Sequence, residues 1–149
     1  MIPLLLCDDS NMARKQLIRA LPAEWPVSLS QASNGEEALA LIRQGLGQVM
    51  LLDLTMPVLD GYQTLAALRA EGLKSQVIVV SGDVQEEAVR RVRELGALAF
   101  IKKPADPEIL RQTLIDLKLF APQATPAAQA QAAALAELKV SFRDGLREV

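Results

Sequence analysis

The stretch VMLLDLTMPVLDGYQ, residues 49–63, decides the fold. Four apolar residues, Val49 to Leu52, run without interruption into one carboxylate, Asp53. A short continuous apolar run bounded by turn signals marks a strand buried on both faces. Met56-Pro57 and Asp60-Gly61 then turn the chain, and a helical pattern begins at Tyr62. Such a strand delivers its acid to the carboxyl edge of a sheet, where open α/β proteins carry their ligands.

The same grammar repeats on both sides. Residues 2–7 read as a first strand, and Ser10 caps a helix through about Leu21. Residues 27–32 form a weaker second strand. Asn34-Gly35 turns into a helix carrying Glu36, Glu37, Ala38, Leu39 and Ile42. The helix after the central strand spans residues 62–70 and is ended by Gly72. Residues 77–80 are the fourth strand, residues 84–95 a helix stopped before Gly96, and residues 97–101 the fifth strand. Asp106-Pro107-Glu108 supplies a cap, a first-turn proline and a first-turn acid for a last helix. Its inner stripe is Leu110, Leu114 and Leu117. Five alternations of strand and helix predict an α/β domain: a doubly wound, five-stranded parallel sheet in the flavodoxin-like order 2-1-3-4-5.

Composition narrows the function. The 149 residues are 50% hydrophobic and only 3% aromatic, which predicts an aliphatic core for one domain with a short extension. A formal charge of −2 argues against nucleic-acid binding by this chain. The complete lack of histidine removes Ser-His and Cys-His triads and His-ligated metal sites. The single cysteine, Cys7, forms no internal disulfide, and it is expected to be a small buried apolar group in a reducing cytoplasm. No apolar run reaches membrane-spanning length, and residues 2–7 are too short for a signal peptide.

The strand ends hold the chemistry. Asp8-Asp9 follows the first strand, Asp53 the third and Ser81 the fourth, while the fifth runs into Lys102-Lys103-Pro104. In the order 2-1-3-4-5 these groups converge on one pocket. Three carboxylates at close range repel, which raises the pKa of at least one unless a cation is present. A hard divalent cation such as Mg²⁺ accepts carboxylate and carbonyl oxygens and keeps several waters. A carboxylate can also act as a nucleophile toward phosphorus, and a phosphoryl group in transfer needs cations and donors on its oxygens. Acids, hydroxyl and ammonium together describe a phosphoryl-acceptor site.

These motifs resemble the receiver domain of bacterial two-component response regulators, the class that includes the chemotaxis regulator. The resemblance rests on Asp8-Asp9, on Asp53 through Met56-Pro57 to Asp60-Gly61, on Ser81-Gly82 and on Lys103-Pro104, and it covers about residues 2 to 119. It implies that Asp53 accepts a phosphoryl group from a phosphohistidine on a sensor histidine kinase or phosphotransfer protein. It implies Mg²⁺ held by Asp9, Asp53 and the Thr55 backbone carbonyl, with Asp8 acting through water. Lys103 and Ser81 would contact the phosphoryl group, and Phe100 would be the aromatic switch residue. Lys103-Pro104 resembles the family's cis peptide. The chain is then a phosphoacceptor with self-catalysed transfer and autodephosphorylation, not a turnover enzyme. Two other readings compete. A pseudo-receiver acting as a binding or dimerisation module would lack an acid or the lysine. A haloacid-dehalogenase-type phosphatase would need an acid where Thr55 stands.

Two further features are read more plainly. Arg90, Arg91 and Arg93 on the fourth helix form either a solvated face or a docking surface. Residues 121–134, rich in Ala, Gln and Pro, read as a linker after a receiver spanning 1–120. Leu135, Leu138, Phe142, Leu146 and Val149 fall on one helical face, which predicts an amphipathic helix over 135–149. That helix is expected to pack on a second copy, giving a homodimer, or on an output domain that the sequence does not include.

Overall fold

The computed structural model describes residues 1–121 and the pair Val140–Ser141. In chain order it contains β1 (Ile2–Cys7), α1 (Asn11–Ala20), β2 (Val27–Ala32), α2 (Gly35–Arg43), β3 (Val49–Leu52) and α3 (Gly61–Glu71). These are followed by β4 (Gln76–Ser81), α4 (Glu86–Glu94), β5 (Ala99–Lys102), α5 (Pro107–Asp116) and β6 (Val140–Ser141). Strands β1 to β5 are all parallel, in the order β2-β1-β3-β4-β5, as the alternation of elements predicts.

The alternation of side chains along each strand divides the core in two. Leu5, Cys7, Met50, Leu52, Val77, Val79 and Phe100 face α2, α3 and α4. Leu4, Leu6, Val49, Leu51, Ile78, Val80 and Ile101 face α1 and α5, where Leu110, Leu114 and Leu117 close the layer. β3 is therefore buried at every position. β2 is an edge strand with exposed positions, among them Leu29, which explains its weaker apolar signature. Trp25 fastens the far end: its Nε1 donates to the Leu119 carbonyl at 3.0 Å, and its ring meets Phe120 at 6.2 Å between centroids.

Helix starts follow their caps. Ser10, Asn34 and Asp60 each accept a hydrogen bond from the third backbone N–H beyond them, and Asp106 accepts from Glu108 and Ile109. Asp60 and Gln63 form a reciprocal capping box. Two helices differ from expectation. α4 begins at Glu86 instead of Val84, because the residues before it are turned by side chains: Ser81 Oγ accepts from Asp83 N–H, and Asp83 Oδ1 from Gln85 N–H, both at 3.1 Å. The arginines of α4 are engaged locally, Arg90 with Glu87 and Glu94 and Arg91 stacked 4.0 Å above the Tyr62 ring.

The second difference concerns the helix expected over 135–149. At Val140–Ser141 the backbone is a strand, paired antiparallel with Ala99 and Phe100 of β5. The physical reason is the sheet edge: beyond β5 a row of N–H and C=O groups stands open, and an extended segment can pair with it. The rest of that helix, the linker and the homodimer built on them lie outside the described residues. Among the described residues no helix is long and apolar enough to cross a membrane.

The loop between β3 and α3 contains Val58 at φ 66°, a left-handed conformation that a β-branched side chain adopts only under strain. Val58 is 71% exposed, so its side chain contributes little packing in return. Val58→Gly should raise the stability of the protein by about 1 kcal/mol, read as a shift in the urea midpoint.

Candidate phosphoryl and metal site

Asp8, Asp53, Ser81 and Lys103 meet where β1, β3, β4 and β5 end. The backbone of each acid is fixed by the neighbouring strand: Asp53 N–H donates to the Cys7 carbonyl at 2.9 Å, and Asp8 N–H to the Ala32 carbonyl at 3.1 Å. Asp8 Oδ1 accepts from Ser10 N–H at 2.9 Å, which ties the carboxylate to the start of α1. Carboxylate oxygens of Asp8, Asp9 and Asp53 all lie within 4.8 Å of one another. Asp8 and Asp53 are buried, at 1% and 6% exposure, whereas Asp9 and Thr55 face solvent.

Lys103 crosses from the end of β5. Its Nζ stands 2.7 Å from Asp8 Oδ2 and 3.3 Å from Asp53 Oδ1. The first contact is a short ion pair, and Lys103 is the charged partner that Asp8 Oδ2 has in the buried pocket. Burial, and then the Asp8 charge, push the Asp53 carboxyl above its ordinary range, with Lys103 opposing. Burial acts to lower the Lys103 ammonium, but contact with Asp8 and the charge of Asp53 outweigh it and leave the group raised. Three carboxylates within 4.8 Å of one another, with a single ammonium between two of them, make a crowded, oxygen-only donor set that suits a hard divalent cation, so the residues fit Mg²⁺.

Ser81 Oγ, 2% exposed as a residue, is engaged by Asp83 N–H, and the Ser81 carbonyl accepts from Lys103 N–H at 2.9 Å. Phe100 pairs with Val79 across β4 and β5 and shares the face of Ser81, buried against the α4 side of the sheet. The Lys103–Pro104 peptide is cis. Cys7, adjoining the cluster, is fully buried, and burial, with Asp8 and Asp53 adding to it, pushes its thiol up to about 12. It is inert packing, as its position in an apolar strand suggests.

Three supports of this site go beyond the sequence reading, which takes Gly61 and Gly35 only as turn residues and does not single out Arg14. Gly61 lies against the Asp53 carbonyl, where a Cβ would collide with that oxygen and stand 2.7 Å from Leu54 Cα. Gly35 donates to the Leu59 carbonyl at 2.9 Å, in a space that a Cβ would share with Thr64 Oγ1. Arg14 of α1 donates from Nη1 to the Asp8 carbonyl. The Asp-Gly pair signals a turn, but only the folded loop shows which atoms the glycine must admit.

Known proteins resemble this chain in sequence and fold. The profile of the response regulator receiver domain matches residues 4–115. A probable C4-dicarboxylate response regulator, DctR of Priestia megaterium, is 35% identical over 119 residues, which are 78% of this chain and 51% of that protein. The chain thus spans about half the length of this curated relative. Among solved structures, the signal receiver domain of the response regulator NarL from Mycobacterium tuberculosis superposes with a TM-score of 0.71 at 29% identity, over 80% of this chain and 98% of that one. The CheX–CheY–BeF3–Mg²⁺ complex from Borrelia burgdorferi superposes with a TM-score of 0.70 at 27% identity, over 78% and 89%. On its sequence, its strand order and its cluster of strand-end acids, the chain belongs to the response regulator receiver domain family.

Proposed function

We propose that this receiver is a working phosphoacceptor, in which Asp53 takes a phosphoryl group from a phosphohistidine of a sensor kinase or phosphotransfer protein. The observation that carries the reading is the complete polar set: three acids within 4.8 Å and an ammonium bridging two of them. A pseudo-receiver has no need to keep such a costly buried cluster intact. The solved Borrelia complex contains BeF3 and Mg²⁺, and its fold matches this one, which favours the same chemistry here.

An Asp53 oxygen attacks phosphorus, the P–N bond breaks, and its electron pair leaves with the imidazole. The product is an acyl phosphate on Asp53, later hydrolysed by water. Asp9, Asp53 and the Thr55 carbonyl would hold Mg²⁺, with Asp8 bound through water. When bound, the ion supplies positive charge to the phosphoryl oxygens in transfer. Lys103 exchanges part of its contact with Asp53 for the phosphoryl group. Ser81 gives up the Asp83 N–H and donates its hydroxyl to a phosphoryl oxygen, pulling the loop before α4. Phe100, on the same face, follows that movement. A partner kinase that draws its phosphoryl group from ATP would work in the cytoplasm, which supports a cytoplasmic home for this chain. The phosphorylated face would act on an output domain or a downstream protein.

Incubation with acetyl phosphate tests the reading. The intact mass should rise by one phosphoryl group in Mg²⁺ and remain unchanged when the metal is chelated. Equal labelling with and without divalent cation would contradict it.

A further inference from the structure

Arg14 is absent from the scheme above, yet its side chain is bonded to the backbone of the acid pair. It lies in the second turn of α1, half-buried, and its guanidinium makes three bonds. Nη1 donates to the Asp8 carbonyl, Nε to Gln31 Oε1 of β2 at 2.9 Å, and Nη2 to Asn11 Oδ1 at 3.3 Å. The Asp8 carbonyl belongs to the peptide that joins Asp8 to Asp9, and it lies beyond the last β1–β3 ladder pair, Cys7 with Leu52. Ladder bonding therefore stops before this peptide, and Arg14 takes over from it.

We propose that Arg14 is a positioning residue for the metal site, setting the plane of the Asp8–Asp9 peptide and hence the direction of the Asp9 carboxylate. The inference rests on the Mg²⁺ reading of the site. A planar guanidinium suits the task because its donors point in fixed, divergent directions. One arm holds the peptide, and the others are anchored on β2 and on the first turn of α1. Lysine keeps the charge but is a compact ammonium on a flexible stem, so it cannot hold Asp8 and Gln31 in one fixed frame. Asp8 is then constrained through three separate atoms: N–H by Ala32, carboxylate by Ser10 and Lys103, and carbonyl by Arg14.

The sign of the effect separates positioning from plain charge. If Arg14 acted only as a nearby cation, removing it would make the pocket more negative and tighten Mg²⁺ binding. If it orients the peptide, removing it loosens a ligand and weakens binding. The experiment is calorimetric Mg²⁺ titration of wild type, Arg14→Ala, Arg14→Lys and Gln31→Ala, with a thermal melt of each metal-free protein. Amide spectra of Asp8 and Asp9 provide a second, activity-free readout. Arg14→Ala should weaken Mg²⁺ about tenfold, the scale of lost outer-shell support. Arg14→Lys should recover little of that loss, and Gln31→Ala, which keeps the Asp8 bond but cuts the anchor, should fall between. The Asp8 and Asp9 amides should shift in all three. Unchanged or tighter Mg²⁺ binding in Arg14→Ala, with a lower melting temperature, would make Arg14 a structural residue only and overturn the proposal. If Arg14→Ala does not fold, wild-type affinity in both Gln31→Ala and Arg14→Lys overturns it equally. Failure of the wild-type protein to bind Mg²⁺ would instead remove the phosphoacceptor reading, and this proposal with it.

Discussion

Lys103→Ala should destabilise the metal-free protein by about 2–3 kcal/mol and, in the same molecule, tighten its binding of Mg²⁺. Both effects come from one position. Lys103 Nζ sits 2.7 Å from Asp8 and 3.3 Å from Asp53, so without it two buried carboxylates lose their common counter-charge. Removing one partner of a fully buried pair costs about 3–5 kcal/mol. The Lys103 side chain is 28% exposed, and solvent reduces that figure. Mg²⁺ needs the same acids and is repelled by the ammonium, so the alanine variant should bind it more tightly and regain stability as the ion is added. Urea melts at several Mg²⁺ concentrations measure both. A variant as stable as wild type without metal, or one that binds Mg²⁺ more weakly, would show that the lysine is not the resident counter-ion of the cluster.

Gly61→Ala should cost about 1–3 kcal/mol and slow phosphorylation of Asp53 as well. The cause is steric. An added Cβ meets the Asp53 carbonyl oxygen and comes within 2.7 Å of Leu54 Cα, both of them backbone atoms that cannot rotate aside. Relief requires α3 to move away from β3, which also breaks the bond from Gly61 N–H to the Leu54 carbonyl at 3.0 Å. Gly82→Ala is the matched control, since a Cβ there meets nothing within 4 Å. Equal urea midpoints for the two variants would mean that the turn after Asp53 is not tightly packed.

The steric role of Gly61 shows how the sequence and the folded site divide the information. The strands β1, β3 and β4 are legible because both sheet faces are covered, which leaves unbroken apolar runs ending in Asp8, Asp53 and Ser81. The caps at Ser10 and Asp106 are legible because capping is a local bond between near neighbours, whereas Asn34 and Asp60 read only as turn residues and are caps in the fold. Arg14 is not legible, because its partners include the Asp8 carbonyl just past β1 and the Gln31 side chain of β2, which the parallel pairing of β1 and β2 brings to the same end of the sheet. Val58 carries no signal of its left-handed backbone, since valine is among the last residues one would choose for it. The start of α4 was hidden by side chains bonding to their own loop, which delays the helix past Val84. At Val140–Ser141 a helical periodicity yields to pairing with the open β5 edge, a tertiary opportunity that no local pattern announces.

The site of phosphorylation tests the central claim most directly. The protein is labelled with acetyl phosphate in Mg²⁺, the acyl phosphate is reduced with borohydride, and the digest is mapped by mass spectrometry. Reduction converts a phosphorylated aspartate to homoserine and marks its position permanently. The expected result is one marked residue, Asp53, and no labelling of Asp53→Asn. A mark on any other residue in the wild-type protein, or labelling of Asp53→Asn at the wild-type rate, would contradict it.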